Sequence, residues 1–438
     1  MLRNFRIFLL LSMMVLLLSG CNMTTVDQMY CLPERSQAHD DLQKVMNQSM
    51  SGFEYSAPVS GDNRQIVQMA DLDGDGVEEY LLFAKGADSK PLRIFIFKNE
   101  DDSYRLTDTI ESSGSAFDRV EYARMNNRAG YELVVGCQVS DQVMGSLSVY
   151  TMVDGQMELV MSSSYTEFLS TDFTRNGLSE LFVLRPGQAD VDNGIAELYS
   201  MDGGSVERSS EMNMSRPADK IKRIMIGKLN DGVPAVYVAS DVSSNAIITD
   251  VFALVDGTFT NVSFSSESGT SVQTLRNYYV YADDIDDDGV LELPNLVVNA
   301  ESSEITKDQY VIRWFALRSD GTEVNKRYTY HNFVGGWYLE LDHLLAPRFT
   351  VQQLGNTYEF FLWNEEFSQS EKILSVHVLT GQKREEQAAI DNRFILYRGD
   401  TTIYAARLEV AADKLGITRE KLIGCFHLIL KDWNNGET

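Results

Sequence analysis

The stretch ADLDGDGVEEYLLF, Ala70–Phe83, places Asp71, Asp73, Asp75, Glu78 and Glu79 within nine residues and then turns apolar. Carboxylates at two-residue spacing repel one another, so holding such a loop in one shape calls for a compensating cation. Three alternate aspartates followed by a glycine match the opening of an oxygen-ligand calcium loop. A helix-loop-helix calcium site also needs a glutamate at the twelfth position. Leu82 stands there, inside a run with strand character, so that reading fails.

The stretch has relatives within the chain. In VYADDIDDDGVLELPNLVV, Asp284, Asp286, Asp288, Gly289 and Glu292 fall where Asp71, Asp73, Asp75, Gly76 and Glu79 fall. A third copy, LSTDFTRNGLSELFVL, keeps Asp172, Asn176, Gly177 and Glu180 but carries Thr174 in the middle. Two more are eroded, EYARMNNRAGYELVVG around Glu132 and IGKLNDGVPAVYVA with Asp231 and Gly232. Taking Glu79, Glu132, Glu180, Ala235 and Glu292 as equivalent gives spacings of 53, 48, 55 and 57 residues. Each unit reads as four strands: in the first these are RQIVQMA, EEYLLFA, PLRIFIFKN and SYRLTDTIE. Four strands per unit of roughly fifty residues points to β-propeller blades rather than a helical solenoid. Two further units lacking the acidic loop, WYLELDHLL…YEFFLWN…ILSVHVLTG and NRFILYRG…TIYAARLEV…FHLILKDW, bring the expected count to about seven.

These residues resemble the FG-GAP or VCBS-type repeat family, whose integrin-like propellers carry Asp-x-Asp-x-Asp-Gly-x-x-Glu/Asp between the first two strands of a blade. The resemblance covers most of residues 63–435 and is strongest at Asp71 and Asp284. It implies a calcium site made of Asp71, Asp73, Asp75, the carbonyl of Val77, and Glu79. A second would be made of Asp284, Asp286, Asp288, the carbonyl of Val290, and Glu292. A weaker third would use Asp172, Thr174, Asn176 and Glu180. The candidate ligands are all oxygen, with no histidine or cysteine nearby, which favours calcium over softer metals. The ion's expected role is structural, since an ion that offsets clustered carboxylates couples binding to folding.

The N-terminus sets the expected compartment. Arg3 and Arg6 precede the apolar run Ile7–Leu18, and Leu18-Ser19-Gly20-Cys21 resembles a bacterial lipobox. Residues 1–20 then read as a signal peptide, 21–35 as a tether lipidated at Cys21, 36–62 as a helical lead-in, and 63–438 as the propeller. The apolar run is too short to span a membrane, so the expectation is an extracytoplasmic protein anchored by its lipid. Cleavage before Cys21 removes Arg3 and Arg6 and takes the net charge from −26 to −28, which disfavours nucleic acid as a partner. Cys31, Cys137 and Cys425 form no CxxC, so neither a disulfide framework nor a zinc site is expected, and Cys137 and Cys425 read as buried thiols. In SQAHDDLQKVMNQSM, Leu42, Val45 and Met46 share one helical face, expected to pack on the propeller's rim, with a partner-binding role as the alternative. Thr418 is placed to cap a short helix through REKLIGCF.

Catalytic signatures are missing. His39, His331, His343, His377 and His427 are scattered, and there is no HExxH, GxSxG, P-loop or dinucleotide fingerprint. The sequence therefore predicts an all-β, calcium-stabilised propeller that binds a protein or glycan ligand or serves as a scaffold. The alternative is a polysaccharide-active glycosidase or lyase, since carboxylates and aromatics are plentiful. The cluster around Trp337, Tyr338, Asp342 and His343, with Trp314 and Trp363, reads as strand core or as a sugar-binding face.

Overall fold

Strand Glu79–Lys85 shows how one repeat makes a layer. Successive side chains point to opposite faces, and here both faces are covered. Leu81 and Phe83 pack with Leu92, Ile94, Phe117 and Val135, whereas Leu82 and Ala84 pack with Phe95, Phe97 and Leu42. The pattern recurs along the chain. In Glu180–Arg185, Leu181 and Val183 join the core shared with the preceding sheet, and Phe182 and Leu184 the core shared with the next. In Pro234–Ser243, Val236 and Val238 face backward and Ala235 and Tyr237 forward. A strand buried on both faces reads as an unbroken apolar run, and each such side chain contributes about 1.5–3 kcal/mol when removed from water.

The computed structural model describes residues 37–430 except 101–102, 140–143, 188–191, 245, 278–279, 298–308, 342–348 and 364–369. Cys21, the signal and tether segments, Cys31, Asp342 and His343 lie outside the described residues. The fold is all-β, with six antiparallel sheets of four or five strands among the described residues. The first sheet runs Val67–Ala70, Glu79–Lys85, Leu92–Glu100 and Ser103–Ser112, and Glu54–Tyr55 also pairs with Glu79–Lys85. The second comprises Ala116–Ala123, Glu132–Gln138, Gly145–Val153 and Gln156–Tyr165; the third comprises Glu167–Thr171, Glu180–Arg185, Ile195–Asp202 and Ser205–Asn213. The fourth comprises Ile221–Lys228, Pro234–Ser243, Ala246–Val255 and Thr258–Asn261. Shared apolar cores join these sheets to one another and to the fifth and sixth in chain order.

The last two sheets depart from the expected count of seven. Phe394–Arg398 and Thr402–Leu408 build no seventh blade. They extend the sixth sheet, Phe349–Leu354, Thr357–Trp363 and Ser370–Thr380, because Thr402–Leu408 pairs along Ser370–Thr380 and buries Ile403, Ala405 and Ala406. Phe426–Leu428 instead returns to the fifth sheet, Leu293–Leu296, Gln309–Leu317, Glu323–Asn332 and Trp337–Leu341, pairing with the last of these.

Helices close the two ends of the stack. Helix α1, Gln37–Ser49, lays Leu42, Val45 and Met46 on the free face of the first sheet, and Asp41 accepts the Tyr104 amide at 2.9 Å. Helix α2, Arg384–Ala388, brings Ala388 against Leu379, Ile403 and Ala405 on the far face of the sixth. Beside the sixth sheet lie α3, Val410–Lys414, and α4, Arg419–Gly424, the latter capped by the Thr418 hydroxyl as its sequence predicts. Among the described residues no helix is long and apolar enough to cross a membrane. Trp314 and Trp337 are wholly buried and belong to the core; Cys137 is buried and Cys425 half-buried.

A ladder of rings crosses the fifth sheet where its non-local strand docks. His331 stacks on Tyr338 (5.0 Å between centroids) and Tyr338 on His427 (4.9 Å), from three paired strands. His331 is fully buried, and desolvation lowers its pKa to about 3. The unfolded chain binds a proton there near pH 6.5 and the folded chain does not, so this residue makes stability fall as pH drops from about 6.5 toward 3. In denaturant titrations, the stability of the wild type minus that of His331→Phe should rise with pH across that window; a flat difference would refute this reading.

Candidate metal centres

Each acidic loop is held by its own glutamate. Glu79 sits at the start of its strand with no exposure and accepts the Leu72 amide at 2.8 Å through Oε2. Glu132 takes the Met125 amide at 2.8 Å, Glu180 that of Phe173 at 2.9 Å, and Glu292 that of Ile285 at 3.0 Å. The donor lies seven residues upstream in all four. The loops of Glu79, Glu180 and Glu292 also share a backbone path. Gly74, Arg175 and Asp287 have positive φ at the fourth position, as do Gly76, Gly177 and Gly289 at the sixth, where +81° to +86° favours glycine.

The first aspartate organises the turn. Asp71 accepts the amides of Gly74 and Gly76, Asp172 those of Asn176 and Gly177, and Asp284 those of Asp288 and Gly289, all within 3.2 Å. Asp71, Asp73 and Glu79 thereby bring three carboxylate oxygens within 4.8 Å of one another, and Asp284, Asp286 and Glu292 do the same. Asp75 and Asp288 stand apart from these triads, paired with lysines. Val77 and Val290 are anchored through their amides, each accepted by the aspartate two residues before it.

The second oxygen of each glutamate separates the loops. Oε1 of Glu79 and of Glu292 is buried without a hydrogen-bond partner, and so is Asp286 Oδ1. In the eroded loop, Oε1 of Glu132 receives the Asn126 amide at 2.5 Å, with the Thr151 hydroxyl at 3.4 Å. In the third, the Thr174 hydroxyl lies 3.4 Å from Glu180 Oε1. A buried acceptor without a partner is costly. Among the four glutamate loops it persists where two aspartates converge on it, so the two intact loops fit a hard cation, whereas the Asp172 loop satisfies itself internally. Desolvation raises the pKa of Glu79, Glu132 and Glu180, and that of Glu292 to about 7.

Sequence reading missed two participants. Lys98 Nζ hydrogen-bonds Asp73, contacts Asp75 at 2.8 Å and lies 3.7 Å from Glu79 Oε1. Lys326 Nζ contacts Asp288 at 2.8 Å and lies 3.8 Å from Glu292 Oε1. These bonds lower the pKa of Asp75 and of Asp288. Only strand register reveals the lysines, which lie 25 and 38 residues from the aspartates they bond.

The loops also stitch neighbouring sheets together. The Asp71 carbonyl accepts the Tyr131 amide at 3.0 Å, Arg124 that of Ser179 at 2.7 Å, and Lys228 that of Leu291 at 3.2 Å. In each case a residue seven or eight positions before one loop's glutamate position bonds the residue before the next loop's glutamate position. From third to fourth sheet that residue is Pro234, which has no amide hydrogen. Gly130 meets the first loop so closely that an added Cβ would lie 2.3 Å from the Leu72 carbonyl oxygen.

Away from these loops, the first strands of the second, third and fourth sheets and the segment 59–64 wall a cavity of about 770 Å³. Glu121 and Glu167 line it, with Arg119 3.8 Å from Glu167. Ser170 bonds Glu121 through its amide and hydroxyl, at 2.8 and 2.6 Å. Desolvation raises the pKa of both glutamates.

No protein-family model matches the chain, and no curated protein does. Among solved structures it is similar to an exotype rhamnogalacturonan lyase, YesX, at 9% identity and TM-score 0.29, covering 73% of this chain and 65% of that one. It is similar to Bacillus licheniformis rhamnogalacturonan lyase PL11 at 11% identity and TM-score 0.30, over 72% of this chain and 78% of that one. A Lactobacillus plantarum protein gives 10% and 0.26, over 73% and 86%. Likenesses this low establish neither an activity nor a fold for this chain. The chain spans about two-thirds of the length of the first.

The close approach at Gly130 predicts that Gly130→Ala lowers unfolding free energy by about 1–3 kcal/mol. Urea titration measures it; an unchanged midpoint would mean that the first and second loops are not in contact.

Proposed function

We propose that the protein is a calcium-stabilised binding module of the FG-GAP/VCBS propeller type, held outside the cytoplasmic membrane by a lipid on Cys21. The observation that carries the calcium reading is the pair of buried, unpartnered oxygens on Glu79 and Glu292, each facing two aspartates. All the donors are hard oxygens, which suits calcium. Asp71, Asp73, Asp75 and Glu79 with the Val77 carbonyl would hold one ion, and Asp284, Asp286, Asp288 and Glu292 with the Val290 carbonyl the other. Because Asp71 also stitches the first sheet to the second, the ion's work is structural: it stiffens the seam between those sheets. Ligand binding falls to the cavity walled by the first strands of the second, third and fourth sheets, whose lining draws polar side chains from each.

Calcium should raise the melting temperature of the wild type, with about 1.4 kcal/mol per site at a concentration ten times Kd. The Asp73→Ala, Asp286→Ala double variant should lose most of that gain in thermal scans with and without calcium. An unchanged calcium response in the variant would refute both sites.

A polysaccharide-active enzyme is the second reading, favoured by Glu121 and Glu167 in one cavity, both with raised pKa and so suited to hold a proton for general acid chemistry. Incubation with acidic glycans, rhamnogalacturonan among them, separates the two. The binding module should retain a glycan without releasing shorter or unsaturated products. Product release that Glu167→Gln abolishes would establish the enzyme instead.

A further inference from the structure

The two lysines in the acidic loops arrive by different routes. In the first sheet the register pairs Tyr80 with Phe97, which sets Lys98 opposite Glu79 on the third strand. The same position is Thr151 in the second sheet, opposite Glu132, and Ser200 in the third, opposite Glu180. In the fifth sheet it is Ala316, opposite Glu292, and no ammonium comes from there. Instead, the pairing steps from Trp314–Arg327 to Phe315–Asn325, so that Lys326 is the extra residue of a β-bulge on the following strand. A bulge re-aims a side chain, and this one sends Lys326 into the second acidic loop. An ammonium therefore accompanies both loops that keep three aspartates. Of the three loops that have lost aspartates, those of Glu132 and Glu180 carry a hydroxyl residue, Thr151 or Ser200, at the position that Lys98 occupies, and the fourth sheet carries Ala253 there, opposite Ala235.

Both lysines are largely sequestered, with side chains 19% and 17% exposed, and both reach toward the glutamate oxygen that lacks a hydrogen bond. A divalent ion bound by the aspartates and that oxygen would lie within a few ångströms of the ammonium. Like charges that close, in a partly buried site, cost several kcal/mol.

We infer that Lys98 and Lys326 are exchangeable counter-cations: each neutralises its loop when metal is absent and must swing out when a divalent cation binds. The inference rests on the calcium reading above. Its consequence is a loop that stays folded without metal and binds calcium weakly, so occupancy follows the external calcium concentration. Each lysine sets the affinity of its own site.

Calorimetric titration of the full-length chain with calcium chloride tests this, beside thermal scans in chelator. Lys98→Met should tighten one of two sites by roughly ten-fold or more and leave the other unchanged, while lowering the melting temperature in chelator. Lys326→Met should do the same at the second site. Lys98→Arg, which keeps the charge, should restore both properties toward wild type. Two sites with unaltered or weakened affinity in both methionine variants would overturn the exchange while leaving the calcium sites standing. A wild type that takes up no calcium would overturn the calcium reading itself, and the exchange with it. A methionine variant that melts in chelator where the wild type does would also count against the proposal, because the lysine would then not be neutralising its loop.

Discussion

A glutamate carboxylate buried at or just before the start of a strand, in four of the six sheets, is the constraint from which the loops of this protein follow. A carboxylate in that position must be satisfied or neutralised. One oxygen is met in every case by the amide seven residues upstream, and that bond fixes the length and path of the loop between. In the loops that begin with Asp71, Asp172 and Asp284 the chain then takes a common path, with positive φ at the fourth and sixth positions. The other oxygen is where the repeats diverge: it meets a neutral donor in the Glu132 and Glu180 loops and converging aspartates in the Glu79 and Glu292 loops.

The loop is also the place where layers meet. A carbonyl seven or eight positions before its glutamate position bonds an amide in the next loop, and the step that lacks this bond is the one interrupted by Pro234. Neutralising the loop and joining the sheets are therefore coupled, since Asp71 turns its carboxylate inward to the loop and its carbonyl outward to the neighbour. Beneath the loops, strands buried on both faces pass packing from sheet to sheet, and α1 and α2 cover the two end faces.

This arrangement divides the protein's work. The acidic loops are conspicuous, and their backbone bonds tie one sheet to the next. The cavity walled by the first strands of the second, third and fourth sheets draws on residues that no motif marks, Arg119, Glu121 and Glu167 among them. A repeat scaffold supports many activities, so function has to be argued from that cavity rather than from the fold.

Local chemistry made much of this legible in the residues alone. The Asp-x-Asp-x-Asp-Gly spacing marks the loops, runs of aliphatic and aromatic residues between polar turns mark strands such as Leu92–Glu100, and Thr418 marks a cap, because each depends on neighbours within a few positions. Three features depended on contacts between distant residues and so came only from the tertiary structure. Phe394–Arg398 and Thr402–Leu408 look like blade strands, but backbone pairing alone decides which sheet receives them, and they join the sixth. Phe426–Leu428 crosses back to the fifth sheet to stack His427 on Tyr338. Lys98 and Lys326 enter the acidic loops because register, and in one case a single bulged residue, places an ammonium beside carboxylates far away in the chain. Composition and spacing carry no information about that register, since it is set by which strand edges meet when the sheets assemble.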